Sequence, residues 1–365
     1  MIRRRWEPDE GTGRLIDFTS SLYLGIRHPS RSLRPWSQFT TGKPAVLGRV
    51  PPALAVAKAL AALQGCERVT LLPSTLHLFF DLFEALRHDA ISIYIDEAAY
   101  RVARWGAERA VARGVPFREI PHYDPEAAYR IIKADEATGL RPIILADGFC
   151  PDCGCPAPLR AYLRCVVPFD GYVVLDDTQA LGIWGADRNR MEPYGRGGGG
   201  SLRFHGLQSP NVILGSSLAK GFGVPVAALG GSARVVKRFL RHSETRVHAS
   251  PPSIPVVNAA EHALRINAER GDDVRRQLAQ LVARFRNGMR GAGLHGNDSP
   301  FPVQMLVPEN VDPVQLCGIL ATAGIRTAVA RTRAAPGAKL LFVINASHTA
   351  AEIDRAIRIV VTAMN

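Results

Sequence analysis

The sequence lacks any long apolar run. No window approaches the roughly 20 apolar residues that a membrane-spanning helix needs, and no apolar leader-like stretch follows the basic residues at positions 3–5. The composition, 47% hydrophobic and 21% charged over 365 residues, is ordinary for a globular protein of about two domains. We therefore expect a folded cytoplasmic protein with no membrane partner.

Acidic residues are in the minority, and aromatic residues are few. The chain has 33 Asp and Glu against 45 Lys and Arg, a net charge of +12, with 7% aromatic residues. The basic residues are scattered along stretches such as 234–246 and form no tract interleaved with aromatics, so no nucleic-acid partner is expected. A solvated basic surface explains the charge, and a phosphorylated small molecule such as a coenzyme A thioester is the better anionic candidate.

The cysteine pattern lacks the paired knuckles of common structural zinc sites. Four of the six cysteines crowd into one segment, namely Cys150, Cys153, Cys155 and Cys165. Structural zinc sites commonly use two C-x2-C pairs, whereas this segment has a single C-x2-C followed by C-x-C. Reduced thiols are the favoured interpretation, and no metal is expected.

The chain does contain a regular alternation of short apolar runs and helical stretches. This alternation predicts an α/β fold with a seven-stranded, mostly parallel, doubly wound sheet. The predicted strands are 69–72, 91–96, 117–121, 142–147, 172–177, 212–216 and 227–230. The clearest predicted helices are 52–64, 79–87 and 101–113.

The pattern changes after residue 250 to that of a smaller α+β domain. Two long helices are predicted over 256–269 and 272–289, followed by two strand-helix units. The glycine-rich stretch 194–203 neither follows a strand nor opens a helix, so a flexible surface loop is favoured over a phosphate cradle. The predicted organisation is an N-terminal segment over 1–45 that packs with the small domain, a large domain over 46–250 and a small domain over 251–365.

A lysine follows one predicted strand, and two carboxylates end another. Lys220 lies in the small-residue loop 216–223, and Asp176 and Asp177 close the apolar run that begins at Gly171. A lysine amine forms a Schiff base with an aldehyde, and a strand-end carboxylate can pair with a pyridinium nitrogen. Together the two segments indicate pyridoxal 5'-phosphate (PLP) as the cofactor.

Several segments, taken in order, resemble the motifs of the α-oxoamine synthases, a family within the fold type I PLP-dependent enzymes. The resemblance extends over nearly the whole chain and implies a fold type I transferase with a PLP-binding large domain. The segments are Asp17 to Gly25, Asp96 to Tyr100, Asp147-Gly148 with Ala157 to Leu159, Asp176 to Gly182, and Ser217 to Gly223.

The resemblance implies a role for several cofactor-binding residues. Lys220 matches the Schiff-base lysine, whose amine is also a base for the donor's Cα proton. Asp176 matches the partner of the ring nitrogen, and Ser217 matches a phosphate-binding hydroxyl. Ser74 and Thr75 open a helix whose N-terminal amides suit the same phosphate, although an ordinary helix cap explains this pair equally well.

Four positions depart from the family pattern. Tyr100 replaces a histidine over the cofactor ring, where a tyrosine can stack but lacks the acid-base range of imidazole. Gln179 replaces a histidine that hydrogen-bonds the ring hydroxyl, a bond that an amide can still donate. Leu341 replaces an arginine that binds the substrate carboxylate, and Pro151 replaces a serine of the active-site loop.

These departures leave the cofactor scaffold intact and change the expected substrate site. Lys339, Arg331 and Arg333 are candidate replacements for the missing arginine, although each can also be a solvated side chain. Tyr23, in the first motif, is a further candidate for substrate binding.

The main functional hypothesis is a PLP-dependent transferase that joins an amino-acid-derived quinonoid carbanion to an electrophile, most simply an acyl-thioester. The alternatives are an aminotransferase, or a lyase or replacement enzyme, acting on an amino acid, and a non-catalytic PLP-fold partner protein. Retention of Lys220 and Asp176 argues against loss of catalysis. The resemblance also implies a homodimer, in which Ser250 reaches the neighbouring subunit's phosphate.

Overall fold

The computed structural model divides the chain into two compact units. The larger unit comprises 26–149 and 156–272, and the smaller comprises the described parts of 1–25, 150–155 and 273–365. The residues described are 15–48, 51–291, 294, 296, 299–308, 311–331 and 337–364.

The described residues form strands, α-helices and short 3-10 turns. The strands are β1 (Ile16–Asp17), β2 (Arg68–Leu72), β3 (Ile91–Asp96), β4 (Phe117–Ile120), β5 (Arg141–Asp147), β6 (Phe149–Cys150), β7 (Cys155–Pro156), β8 (Tyr172–Asp176), β9 (Val212–Ser217), β10 (Ala227–Gly231), β11 (Val303–Leu306), β12 (Ile325–Arg326), β13 (Ala328–Arg331) and β14 (Ala338–Val343). The helices are α1 (Pro51–Gln64), α2 (Thr75–Arg87), α3 (Arg101–Val111), α4 (Pro125–Ala134), α5 (Leu159–Val166), α6 (Ser201–His205), α7 (Ala233–His242), α8 (Thr245–His248), α9 (Ile254–Gly291), α10 (Pro313–Thr322) and α11 (Ala350–Met364).

A seven-stranded sheet forms the centre of the larger unit. Its strand order is β2-β10-β9-β8-β5-β3-β4. Strand β10 is antiparallel to both of its neighbours, and the other neighbouring pairs are parallel. All seven predicted strands are present within two residues of their predicted bounds. The predicted α/β class and mostly parallel sheet are confirmed.

Helices cover both faces of this sheet. On β5, Ile143 and Leu145 pack into a core shared with α2, α3 and α7, which we call the α2 face. The intervening Ile144 and Ala146 pack into a second core with α4 and α5, which we call the α4 face. Because strand side chains alternate between faces and both faces are buried, the strands have continuous apolar sequences.

The smaller unit is built on a three-stranded antiparallel sheet with the order β11-β14-β13. Strand β1 pairs in parallel with β12, which ties the start of the described chain to this unit. Helices α10 and α11 contact each other within the unit. No described helix has the length and apolar character that crossing a bilayer requires.

The compact units and the predicted domains divide the chain at different residues. Residues 26–45 lie with the larger unit, where Ala45 N–H donates to Ala249 O at 2.9 Å and Ile254 N–H donates to Phe39 O at 2.9 Å. Residues 16–17 of the described N-terminal segment pair with β12 of the smaller unit, and Phe18 O accepts from Val343 N–H of β14 at 2.7 Å. The boundaries at 45 and 250 therefore remain a prediction, and the compact units end instead at 25 and 272.

The prediction of two long helices after residue 250 is wrong. A single helix, α9, runs for 38 residues through Gly271. The glycine reads as a helix end in the sequence, but a glycine in a helix interior costs only about 1 kcal/mol relative to alanine.

The prediction of a surface loop over 194–203 is also wrong. Gly198, Gly199 and Gly200 are buried, and α6 begins immediately after them. Gly200 has a φ of +85°, and a Cβ there would lie 2.1 Å from Asp177 Oδ2. The glycines therefore allow the backbone to approach a buried carboxylate.

Candidate active site

The predicted site residues converge at the carboxyl edge of the large sheet. Asp176 ends β8 and pairs in register with Gly215 of β9, and Ser217 ends β9 two residues later. Alternation along each strand directs Asp176 and Ser217 to the α2 face. Lys220 follows in the loop after β9, where ligands bind in open α/β sheets.

A cavity of about 140 Å³ lies at this edge. Nine residues of the larger unit line it: Thr75, Tyr100, Asp147, Asp176, Thr178, Gln179, Ser217, Ala219 and Lys220. The structure thus brings together six of the residues to which the sequence gives a role, namely Thr75, Tyr100, Asp176, Gln179, Ser217 and Lys220. All six carry a polar group, and they lie at the starts of α2 and α3 and at or just after the ends of β8 and β9.

Burial and charge act in opposite directions on Lys220. Burial lowers the pKa of its amine, and the carboxylates of Asp176 and Asp147 oppose that decrease. A lowered pKa increases the fraction of neutral amine, the form that attacks an aldehyde and accepts a proton. The environment of Lys220 is therefore that of a reactive lysine rather than a solvated one.

Asp176 has one carboxylate oxygen satisfied and one unsatisfied. Its Oδ1 accepts a hydrogen bond from Thr178 N–H at 3.0 Å, whereas its buried Oδ2 has no partner among the described residues. Burial raises the pKa of Asp176, while hydrogen bonds from Thr178 and the charge of Lys220 oppose the increase. An unsatisfied buried acceptor is costly, and a pyridinium N–H is the donor that would satisfy it. The residues present therefore fit PLP.

Asp177 is directed away from this cavity. Its Oδ2 accepts from Ser201 N–H at 3.1 Å, and its Oδ1 bonds the Ser201 hydroxyl. Burial raises its pKa to about 7, partly opposed by the bonds from Ser201. The two adjacent carboxylates thus serve opposite faces of the sheet, and only Asp176 lines the cavity.

The turn before α2 separates the roles of Ser74 and Thr75. Ser74 caps α2, since its hydroxyl accepts from His77 N–H at 3.5 Å and lies 2.8 Å from His77 Nδ1. Thr75 lines the cavity, and Ser74 is not among the lining residues. The alternative that Ser74 is an ordinary helix cap is therefore the one that its contacts support.

Tyr100 lies at the start of α3 and lines the cavity with half of its surface exposed. Its backbone N–H donates to Asp147 Oδ1 at 2.9 Å. Burial, followed by the charges of Asp176 and Asp147, raises the pKa of its phenol. The helix packs closely on α2, because a Cβ on Gly106 would lie 2.2 Å from Phe79 O. Tyr100 is thus a neutral aromatic group in a fixed position.

The other predicted residues do not line this cavity. Ser250 is exposed in the larger unit. In the smaller unit, Tyr23 is fully buried with its ring edge-on to Phe301 at 5.5 Å, and Lys339 forms an ion pair with Asp152. Arg333 lies outside the described residues. The roles predicted for these four residues remain predictions, and complete burial argues against direct substrate contact by Tyr23.

Sequence reasoning gave no role to two polar residues of the cavity, Asp147 and Thr178, although both lie in motifs that carry the family resemblance. Thr178 Oγ1 accepts from Ser217 N–H at 2.9 Å, so it joins the ends of β8 and β9. Asp147 ends β5 and pairs in register with Asp176. A signal for Asp147 exists in the sequence, because it is the last residue of an apolar run like the one that ends at Asp176.

Two curated relatives are similar over most of this chain. It is 25% identical over 355 residues to the 8-amino-7-oxononanoate synthase of Alcanivorax borkumensis, covering 94% of this chain and 88% of the relative. It is 27% identical over 355 residues to that of Nitrosococcus oceani, covering 94% and 89%. No family model matches the chain.

Solved structures share the fold. Serine palmitoyltransferase of Sphingomonas wittichii aligns with a TM-score of 0.82 at 17% identity, covering 96% of this chain and 87% of that one. The 8-amino-7-oxononanoate synthase of Francisella tularensis aligns with a TM-score of 0.69 at 16% identity, covering 96% and 97%. The fold type I architecture and the resemblance to the α-oxoamine synthases are confirmed.

Proposed function

We propose that this chain is a PLP-dependent transferase that joins an amino-acid donor to an acyl-thioester with formation of a C–C bond. The observation that carries this proposal is the unsatisfied Asp176 Oδ2 in a cavity that also contains Lys220. The similarity to 8-amino-7-oxononanoate synthases over 94% of the chain supports the reaction class. The alternative is a PLP-dependent aminotransferase, or a lyase or replacement enzyme, acting on an amino acid.

Different residues of the cavity would bind different parts of PLP. Lys220 would hold the aldehyde carbon covalently, and Asp176 would accept the hydrogen bond of the ring nitrogen. Thr75 and Ser217 offer hydroxyls for the phosphate, and the N-terminal amides of α2 favour an anion there. PLP, when bound, supplies an electrophilic aldehyde and an electron sink for charge at the donor's Cα.

Lys220 is also the group that moves a proton. Burial lowers the pKa of its amine and so increases the neutral fraction, the form in which Nζ can accept the Cα proton of a bound donor. Tyr100 cannot replace it as a base at neutral pH, because burial and two carboxylates keep its phenol protonated. Tyr100 instead offers a ring face, and Gln179 an amide, to the cofactor ring.

The function is tested in two stages, of which the first locates the cofactor and identifies the donor. Borohydride reduction of the PLP-loaded protein, followed by peptide mapping, is expected to place the label on Lys220; a label elsewhere would refute the site. Absorbance spectra recorded while amino acids are added singly would then identify the donor.

The second stage distinguishes acyl transfer from transamination. With the identified donor, acyl-thioesters are expected to release free thiol in step with a new, heavier product detected by mass spectrometry. An α-deuterated donor reports loss of the Cα proton in either case. Stoichiometric keto acid with the cofactor in its pyridoxamine form, and no thiol release, would establish the aminotransferase alternative.

We further propose that two copies of the chain form a homodimer. Ser250 is exposed next to the backbone pairing of Ala45 with Ala249, on a surface that also exposes Val46, Leu47 and Val247. Apolar side chains of this size that stay exposed together are typical of an interface. Ser250 would then reach the phosphate of the neighbouring subunit.

A further inference from the structure

The cavity contains a second carboxylate to which the roles above assign nothing. Asp147 is the last residue of β5 and pairs in register with Asp176, the last residue of β8. Because Ile143 and Leu145 of β5 face the α2 side, alternation directs Asp147 to the same side as Asp176. Two carboxylates thus end neighbouring parallel strands, which lie about 4.8 Å apart.

The backbone of Asp147 and its side chain are both held by hydrogen bonds. Asp147 Oδ1 accepts from Tyr100 N–H at 2.9 Å, at the start of α3. Asp147 O accepts from the Tyr123 hydroxyl at 2.8 Å, and Tyr123 N–H donates to the buried Asp96 Oδ2 at 2.9 Å. Asp147 therefore connects the segment that carries Tyr100 to the loop that follows β4.

The charge of Asp147 acts on the Lys220 amine and on the Tyr100 phenol. It favours the ammonium form of Lys220, and it disfavours the phenolate form of Tyr100. The cavity thus contains two carboxyl groups and one amine. A protonated ring nitrogen beside Asp176 would add a second positive group to this set.

We propose that Asp147 is a positioning residue of the active site, which fixes Tyr100 through its backbone N–H and supplies the second negative charge that faces the Lys220 amine. This assignment rests on the proposed PLP site. Its first test is made on apoprotein without substrate, so that it can fail independently of the proposed reaction.

The charge is tested with Asp147→Asn, which keeps an acceptor for Tyr100 N–H and removes the charge. The titration of Lys220 is followed in apoprotein by trace labelling with acetic anhydride across pH and quantification of the Lys220 peptide. The midpoint is expected to shift down by about one pH unit, the effect of losing one nearby opposite charge. An unchanged midpoint would overturn the electrostatic role.

The matched control is Asp124→Asn. Asp124 is also a carboxylate of the larger unit, but it caps α4 and does not line the cavity. Asparagine caps helices as well as aspartate does, so this variant keeps its fold while losing one charge. Its Lys220 midpoint is expected to match that of the wild-type protein, and an equal shift in both variants would show a nonspecific charge effect and overturn the assignment.

The positioning role is tested by comparing Asp147→Asn with Asp147→Ala. Alanine also removes the acceptor for Tyr100 N–H, and loss of one hydrogen bond corresponds to about a tenfold change in an equilibrium constant. PLP titration is expected to give about tenfold weaker binding in the alanine variant than in the asparagine variant. Equal affinities would overturn the contact with Tyr100 as a positioning device, and circular dichroism of both apoproteins checks that each variant is folded.

Discussion

Asp176 and Asp177 are adjacent in the chain, yet the fold gives them different environments. Asp176 has an unsatisfied oxygen at the cavity, whereas both oxygens of Asp177 contact Ser201. The apolar run alone does not separate the two, because both follow it, and it is the family resemblance that gives the ring-nitrogen role to Asp176. Strand alternation supports the same choice, since it directs Asp176 and not Asp177 to the cavity.

We therefore predict that Asp176→Asn binds PLP but loses turnover by about two or more decades. An amide cannot hold the proton of the ring nitrogen, and removal of a charge-stabilising group typically has this size of effect. Steady-state kinetics and the absorbance of bound PLP provide the measurement. Asp177→Asn is the matched control, and near-normal turnover in Asp176→Asn together with loss in Asp177→Asn would reverse the assignment.

At the level of residues, sequence reasoning locates chemical groups best where they follow a recognisable strand. Lys220 and Asp176 are predicted from strand ends and Ser217 from the family resemblance, and all three line one cavity, while their roles remain predictions. Asp147 and Thr178 were not assigned, because their roles depend on register and on a backbone contact between neighbouring strands. The register of a strand depends on its neighbours and cannot be derived from the strand's own sequence.

At the level of elements, the start of α2 offers a test that separates folding from cofactor binding. Ser74→Ala removes a helix cap and is expected to lower the free energy of unfolding by about 1 kcal/mol, with PLP affinity largely retained. Thr75→Val is the matched variant, in which PLP affinity falls and stability is largely kept. Urea denaturation of apoprotein and PLP titration measure the two effects. Loss of PLP affinity in Ser74→Ala with normal affinity in Thr75→Val would indicate that Ser74 binds the phosphate.

Strand β14 carries the expected replacement for a carboxylate-binding arginine. Lys339 lies two residues before Leu341, on the same face of the strand, and its amine pairs with Asp152. If Lys339 binds the donor carboxylate, Lys339→Met should raise the donor's KM about ten- to a hundredfold with little change in kcat, since a charge-assisted hydrogen bond contributes about 1.5–3 kcal/mol.

The comparison variant is Arg331→Met, because Arg331 is the other described candidate for this role, and a rise in KM for this variant alone would transfer the role to Arg331. Arg331 is an exposed cation on the neighbouring strand β13, where it pairs in register with Ala338. An equal rise in KM for both variants would indicate a general effect of basic charge. An unchanged KM in Lys339→Met would exclude Lys339 as the carboxylate-binding group.

The elements that sequence reasoning misjudged share a cause. In α9 and before α6, glycine suggested an end or a loop, but tertiary packing determined the outcome. At Gly200 the missing side chain admits Asp177, and in α9 the long helix tolerates Gly271. Glycine marks where backbone freedom is available, and only the fold shows whether that freedom is used for a turn or for a close approach.

At the scale of the whole molecule, stability should fall as the pH drops below about 6.5. Buried His348 accepts from Asn345 N–H at 3.1 Å through Nδ1, and its Nε2 lies 3.1 Å from Asp17 O, an arrangement that requires a neutral ring. Burial lowers its pKa in the folded state, so the unfolded state binds more protons below the ordinary value of 6.5.

The stabilisation from the neutral His348 ring is complete above pH 6.5 and is lost as the pH falls toward the folded-state pKa. The slope from one such group cannot exceed about 1.4 kcal/mol per pH unit. His348→Gln keeps a polar side chain that does not titrate, and it is expected to flatten this part of the stability profile measured by urea denaturation. An identical pH profile for wild type and variant would contradict the role of His348.

The proposed homodimer predicts that the exposed apolar surface around Leu47 is buried between two copies of the chain. Leu47 is 74% exposed and lies beside Val46, whose N–H donates to Arg246 O near the segment of Ser250. If this surface is buried between two copies, Leu47→Glu replaces the burial of a leucine, which contributes about 1.5–3 kcal/mol, with the burial of a charge. The dissociation constant of the dimer should therefore rise by at least about tenfold, as measured by light scattering on dilution.

The matched control is Met191→Glu, which introduces the same charge at a side chain that is 82% exposed elsewhere in the larger unit. It should dissociate like the wild-type protein. Because Ser250 is expected to reach the phosphate of the other subunit, PLP affinity should fall in parallel with dissociation in Leu47→Glu and stay constant in Met191→Glu. A wild-type monomer that binds PLP tightly and keeps full activity on dilution would show that each chain completes its own site.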